Sequence, residues 1–137
     1  DKLNLKFDLA YGRLNYSKKI LIIDDVIKCN GNVNLLDEFP LLSFDCSINF
    51  ENKRDLLKKF NIDNKKDNKN FNLNVKGSLS ILNQKINFKD ISLNENYKAS
   101  NEDLNYFKET FENIIFNENF LGIFNFGKIK EFILEIS

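Results

Sequence analysis

Apolar and polar residues alternate strictly along several stretches of the chain. Leu3, Leu5, Phe7 and Leu9 interleave with Asn4, Lys6 and Asp8. Leu42, Phe44, Cys46, Ile48 and Phe50 do the same around Ser43, Asp45, Ser47 and Asn49. Phe71, Leu73, Val75, Gly77, Leu79 and Ile81 alternate with Asn72, Asn74, Lys76, Ser78 and Ser80. Successive side chains of a strand project to opposite faces, so each run carries one apolar and one polar face. Strands of this kind in sequence build a sheet with a continuous apolar side. What covers that side becomes the functional question.

The pattern predicts a strand over residues 2–10 and a turn at Tyr11-Gly12. A second short strand ends at Tyr16, with Ser17-Lys18-Lys19 as the next turn. Ile20 to Asp24 reads as a strongly apolar strand, and Val26 to Leu36 as another with a kink near Gly31. Asp37 to Pro40 forms a turn, after which Leu41 to Phe50 returns antiparallel. From Asn52 to Phe60 the period changes. Leu56, Leu57 and Phe60 fall at helical spacing among Lys53, Arg54, Asp55, Lys58 and Lys59, which predicts a short amphipathic helix with a solvated basic face. Asn61 to Asn70 is polar and reads as a mobile loop.

Phe71 to Leu82 and Lys85 to Leu93 make a hairpin around Asn83-Gln84. Ile86 and Phe88 share one parity, Ile91 and Leu93 the other, so an extra residue near Lys89-Asp90 is needed to keep them on one face, as in a β-bulge. Ser100 with Asp103 resembles a capping box. Behind it, Leu104, Phe107, Phe111, Ile114 and Ile115 form a helical stripe. Phe120 to Phe126 is apolar and ends at Gly127, and Ile129, Phe132, Ile133 and Ile136 fit a final helix. The expected fold is mainly β with α, a twisted antiparallel meander with one apolar face followed by C-terminal helices. Residues 1–99 would form the sheet, with the short helix and mobile loop near 52–70, and residues 100–137 a helical cap.

Composition narrows the chemistry. The chain has 137 residues, enough for one domain or a piece of a larger protein. Twenty basic residues balance 20 acidic ones, which gives no electrostatic case for nucleic acid. Histidine is absent, and with it the usual general base and the commonest metal ligand. Two cysteines without histidine do not complete a zinc site. Asp63 and Asp67 lack the glycine and terminal glutamate of a calcium loop. No catalytic residue, metal or cofactor is therefore expected. The absence of methionine reads as a fragment, whose targeting segment or anchor would lie upstream.

Cys29 and Cys46 both fall in expected strands. Pairing Leu36 with Leu41 places Cys29 opposite Ile48 and Cys46 opposite Gly31, which makes the cysteines diagonal neighbours. Two buried thiols and an extracytoplasmic disulfide, reached through a bulge or shift, both stay open.

The order of the elements adds a resemblance. It is carried by Gly31-Asn32-Val33-Asn34-Leu35-Leu36, Phe39-Pro40, Leu42-Ser43-Phe44, Lys76-Gly77-Ser78-Leu79, Lys85-Ile86-Asn87-Phe88 and the tail from Asp103 to Ile136. This order resembles the C-terminal part of AsmA-like proteins, the AsmA/TamB group of bacterial bridge-like lipid-transfer proteins. The motifs are degenerate β-repeats without a catalytic signature, and the N-terminal anchor and most repeats of that family are absent. The resemblance implies a periplasmic segment of a protein anchored in the inner membrane. Its apolar sheet face would shield phospholipid acyl chains in lipid transport or outer membrane biogenesis. Implied partners are phospholipid acyl chains, upstream repeats of the same chain and envelope proteins.

The candidate lipid-facing residues are Leu42, Phe44, Ile48, Phe50, Phe71, Leu73, Val75 and Phe88. One helix about 10 Å wide covers three or four strands spaced about 4.8 Å apart, and about seven strands are expected. Part of the apolar face is left for a neighbouring repeat, the C-terminal helix or a lipid. A structural or scaffolding domain whose face is filled by its own helices is the alternative, and a closed ligand-binding barrel a third reading. Phe120, Phe124, Phe126 and Phe132 would seal the sheet end or form a contact tip.

Overall fold

Alternation becomes register in the structure, a computed structural model that describes residues 2–22, 25–50 and 71–136. The helix expected over 52–60 and the loop over 61–70 lie outside the described residues. The strands are β1 (Lys2–Ala10), β2 (Arg13–Ile22), β3 (Asp25–Asn34), β4 (Leu41–Phe50), β5 (Phe71–Ser80), β6 (Lys85–Leu93) and β7 (Tyr97–Lys98). They form one 7-stranded sheet in sequence order, antiparallel throughout. Helix α1 (Asn101–Ile115), a 3-10 turn (Phe120–Phe124) and helix α2 (Phe126–Ile136) follow. The meander with C-terminal helices is thus as the sequence predicts.

Three expectations need correction. Residues 17–19 are not a turn: β2 runs unbroken, pairing Lys18 with Leu5 on one side and with Cys29 on the other. Lys18 interrupts the apolar parity of Leu14, Tyr16 and Ile20, and hydrogen bonding to both neighbours overrides that local signal. The strand count survives for a different reason, because the short β7 takes the place of the strand lost by this fusion.

Secondly, β3 ends at Asn34, not at Leu36. The Asn34 side chain accepts the Leu36 N–H at 3.2 Å and donates to Asp37 Oδ1 at 2.8 Å, so it folds the chain into a turn that takes Leu35 and Leu36 out of the ladder. The third correction follows from the second. With Val33 opposite Leu42, Cys29 lies directly opposite Cys46 and the two form a cross-strand disulfide.

Two irregularities fall where the sequence places them. The β3–β4 ladder is interrupted between the pairs Asn30–Asp45 and Val33–Leu42. Ser43 Oγ bridges the gap, accepting the Asn32 N–H at 3.0 Å and donating to the Asn32 carbonyl at 3.2 Å. The β5–β6 register shifts at Lys76/Gly77, which inserts Lys89 as the bulge residue and returns Ile91 and Leu93 to the face of Phe88.

The helices sit on the apolar face at the β5–β6 corner. Leu79, Ile86, Ile115 and Phe116 form the buried cluster, ringed by Leu42, Phe44, Phe88, Phe111 and Phe132. Glu112 locks α1 to β6, accepting the Ile86 N–H at 3.0 Å and the Lys85 ammonium at 3.1 Å. Gly122 packs so closely on the end of α1 that a Cβ there would meet the Ile115 carbonyl.

Helix α1 begins with the capping box read from the sequence: Ser100 Oγ accepts the Asp103 N–H at 3.1 Å and Asp103 Oδ2 accepts the Ser100 N–H at 2.9 Å. Tyr97 adds its hydroxyl to the same carboxylate at 3.1 Å. The backbone hydrogen bond from Ser100, then the Ser100 and Tyr97 hydroxyls, hold the Asp103 carboxyl below its ordinary pKa. A depressed carboxyl pKa contributes stability above the unfolded value, lost as pH falls through the folded one. Ser100→Ala is expected to cost about 1 kcal/mol, read as a lowered urea midpoint. Asp103→Asn should flatten the acid limb of helix content, measured by circular dichroism below the ordinary carboxyl range.

Candidate functional site

Residues paired across antiparallel strands share a face, so the registers assemble the apolar side row by row. One row runs Leu9, Leu14, Val33, Leu42, Leu79 and Ile86. The next runs Phe7, Tyr16, Gly31, Phe44, Gly77 and Phe88. A third runs Leu5, Lys18, Cys29, Cys46, Val75 and Ile91, and a fourth Leu3, Ile20, Ile27, Ile48, Leu73 and Leu93. The opposite face carries Asn15, Asn30, Asp45, Asn74 and Lys76, with an exposed Lys76–Asp45 pair at 3.3 Å that contributes little to stability.

Cover over the apolar face is graded. At β1, Leu3 is 61% exposed, Leu5 47%, Phe7 63% and Leu9 64%. Across β2 to β4, Leu14, Ile20, Ile27 and Ile48 are half-buried. Beneath the helices, Leu79 and Ile86 are buried. The open part of the face therefore lies at the start of the sheet, away from the cap.

Glycine shapes the second row. A Cβ on Gly77 would meet the Phe44 ring tip, and one on Gly31 would meet the Tyr16 ring and the Ser43 carbonyl. Without those carbons the rings lie across their neighbouring strands. The Tyr16 hydroxyl reaches past Gly31 to donate to the Ser43 carbonyl at 3.0 Å, and burial raises its pKa. Phe44 meets Phe88 edge-on at 6.3 Å between centroids, and Phe88 meets Phe111 of α1 at 6.0 Å. An aromatic band thus runs from the exposed Phe7 into the core of the cap, where Phe111 contacts Phe116 and Phe132.

The structure brings the sequence candidates onto one face. Leu42, Phe44 and Phe88 pack against the buried cluster shared by sheet and helices, Phe50 is buried at the end of β4, and Ile48, Leu73 and Val75 are half-buried. Phe71 pairs with Phe50 in the backbone register, and its side chain lies outside the described residues. Of the terminal aromatic cluster, Phe120 and Phe132 pack onto the core, while the side chains of Phe124 and Phe126 are outside the described set. The alternation in β1 is plain in the sequence, yet Leu3, Leu5, Phe7 and Leu9 are not among the sequence candidates, although they are the most exposed part of the face. Lys18 on the same face is likewise missing from them.

The two side edges of the sheet differ. Along β1 all 9 residues pair with β2 alone among the described residues, which leaves the outer edge of the strand unpaired. At the other side β7 has 2 residues, Glu112 takes the Ile86 N–H, and the Ala99 N–H donates to the Ile91 carbonyl at 2.8 Å. Short strands and covering helices blunt an edge against further pairing; a long bare strand invites it. Among the described residues there is no cluster of metal-ligating side chains and no helix long and apolar enough to cross a membrane. Comparison with protein-family models, with curated proteins and with solved structures found no match.

Proposed function

We propose that this chain is the capped end of an AsmA-like sheet that shields phospholipid acyl chains, without turnover chemistry. The observation that carries this reading is the four-row apolar face, exposed along β1 and covered progressively towards β6. Each methylene withdrawn from water onto such a face contributes about 0.8 kcal/mol, so an acyl chain is held without a polar pocket. The bare β1 edge fits the addition of an upstream repeat of the same chain, which would extend the apolar rows across the joint. The blunted β6–β7 edge fits an end. A Cys29–Cys46 disulfide fits an oxidising compartment, here the periplasm, with the full-length protein anchored in the inner membrane. The protein would then act in phospholipid transport or outer-membrane assembly, alongside other envelope proteins.

A scaffolding role is favoured by one observation, the burial of Leu79, Ile86, Ile115 and Phe116 where the helices fill the face. Photo-crosslinking separates the two. A photoreactive residue at Phe7 or Leu73 of the full-length protein in cells should give ultraviolet-dependent phospholipid adducts, and one at Asp8 or Asn74 on the polar face should not. Adducts on neither face, with the protein folded, would leave the scaffold reading standing.

A further inference from the structure

Lys18 is the one charged side chain in the four apolar rows. It is exposed, and its row partners are Leu5 and Cys29, each about 5 Å away by strand geometry. Tyr16 and Ile20 flank it along the strand. Tyr16 has committed its hydroxyl to the Ser43 carbonyl. No acidic side chain lies within ion-pair distance of Lys18 among the described residues. An ammonium set in an apolar surface without a counter-charge is where an anion gains most, because the greasy surround weakens competition from water.

Accepting the acyl-shielding reading on which this step rests, we infer that Lys18 anchors the anionic headgroup of an amphiphile whose acyl chain lies on the apolar rows. The complementary ligand is an acyl lipid with an anionic phosphate or carboxylate headgroup, a class that includes the phospholipids of that reading. Lys18 is exposed in the third row and its partner Leu5 is 47% exposed, so the headgroup reaches it from solvent. The chain then runs along rows that deepen towards Phe44 and Val75 without meeting another charge.

The test measures binding of a fluorescent long-chain fatty acid, its methyl ester and a long-chain alkyl phosphate monoester to the full-length protein. Wild type should bind both anionic probes about tenfold more tightly than the ester. Comparison of the carboxylate with the phosphate monoester tells which headgroup the site prefers. Lys18→Met, which keeps the apolar stem, should bring the anionic probes down to the affinity of the ester. Lys18→Arg should restore the difference. An unchanged ratio in Lys18→Met overturns the role of Lys18 and leaves the acyl-shielding reading intact. Binding of no probe by folded wild type overturns both.

Discussion

Ile115→Ala is expected to detach the helical cap at a cost of about 2 to 5 kcal/mol. Among the described residues Ile115 is the largest fully buried side chain, 1% exposed, at the last turn of α1 with Leu79 and Ile86 in the same cluster. Its removal leaves a cavity that the neighbouring backbone cannot close, because the Ile115 carbonyl already abuts buried Gly122. The cost matters because of where it falls. The cap rests on β5 and β6 through one small cluster and the Glu112 hydrogen bonds, whereas β1 to β4 are held by ladder after ladder. Local opening takes the weaker unit first. Hydrogen exchange should therefore show protection lost at the Ile86 and α1 amides while the amides of β3 and β4 stay slow. Leu9→Ala, on the open part of the face where Leu9 stays 64% exposed, should change stability by only about 0.5 kcal/mol, since much of that side chain remains in water on folding. Equal loss of protection in β3 and α1 would show that sheet and cap unfold as one unit. With the cap detached, the acyl-shielding reading also expects lipid adducts to spread to Phe88.

The parity of the apolar residues makes the face legible in the sequence alone, because one register slip would turn a whole strand over and strict alternation forbids it. Local chemistry does the same for the Ser100–Asp103 box and the Lys89 bulge, each of which needs only a few neighbouring residues. Sequence reasoning fails where a residue obeys distant partners. Lys18 reads as part of a turn because its own strand does not explain it; pairing with both Leu5 and Cys29 holds it extended. Leu35 and Leu36 read as strand because they are apolar, but the Asn34 side chain turns the chain before them. The aromatic band is equally out of reach. Gly31 and Gly77 admit the rings of Tyr16 and Phe44 only once β2, β3, β4 and β5 are in register. Which part of the face the helices cover is likewise a matter of docking, and no alternation pattern encodes it.

Loss of the Cys29–Cys46 bond is expected to cost about 3 kcal/mol, the chain-entropy value for a loop whose ends are 17 residues apart. Restraint of the unfolded chain, more than any native contact, supplies that figure. Ile27–Ile48 and Lys28–Ser47 pair on one side of the bond and Asn30–Asp45 on the other, so the ladder has partners with or without it. A Cys29→Ala/Cys46→Ala double variant should keep the sheet, measured by amide circular dichroism, and melt roughly 10 °C lower than oxidised wild type. A reducing agent should bring wild type down to the melting point of the variant and leave the variant unmoved. The sulfurs also belong to the apolar floor between Lys18 and Val75, and two methyl groups in their place keep that floor apolar. Lipid adducts at Phe7 and Leu73 should therefore survive the double substitution at temperatures where the variant is folded. A variant as stable as wild type under oxidising conditions would show that the bond contributes nothing to folding, and would remove the argument for an oxidising compartment. A stability that falls together with the adducts at low temperature would instead tie the apolar face to the bond itself, through a register that β3 and β4 cannot hold alone across the gap at Gly31.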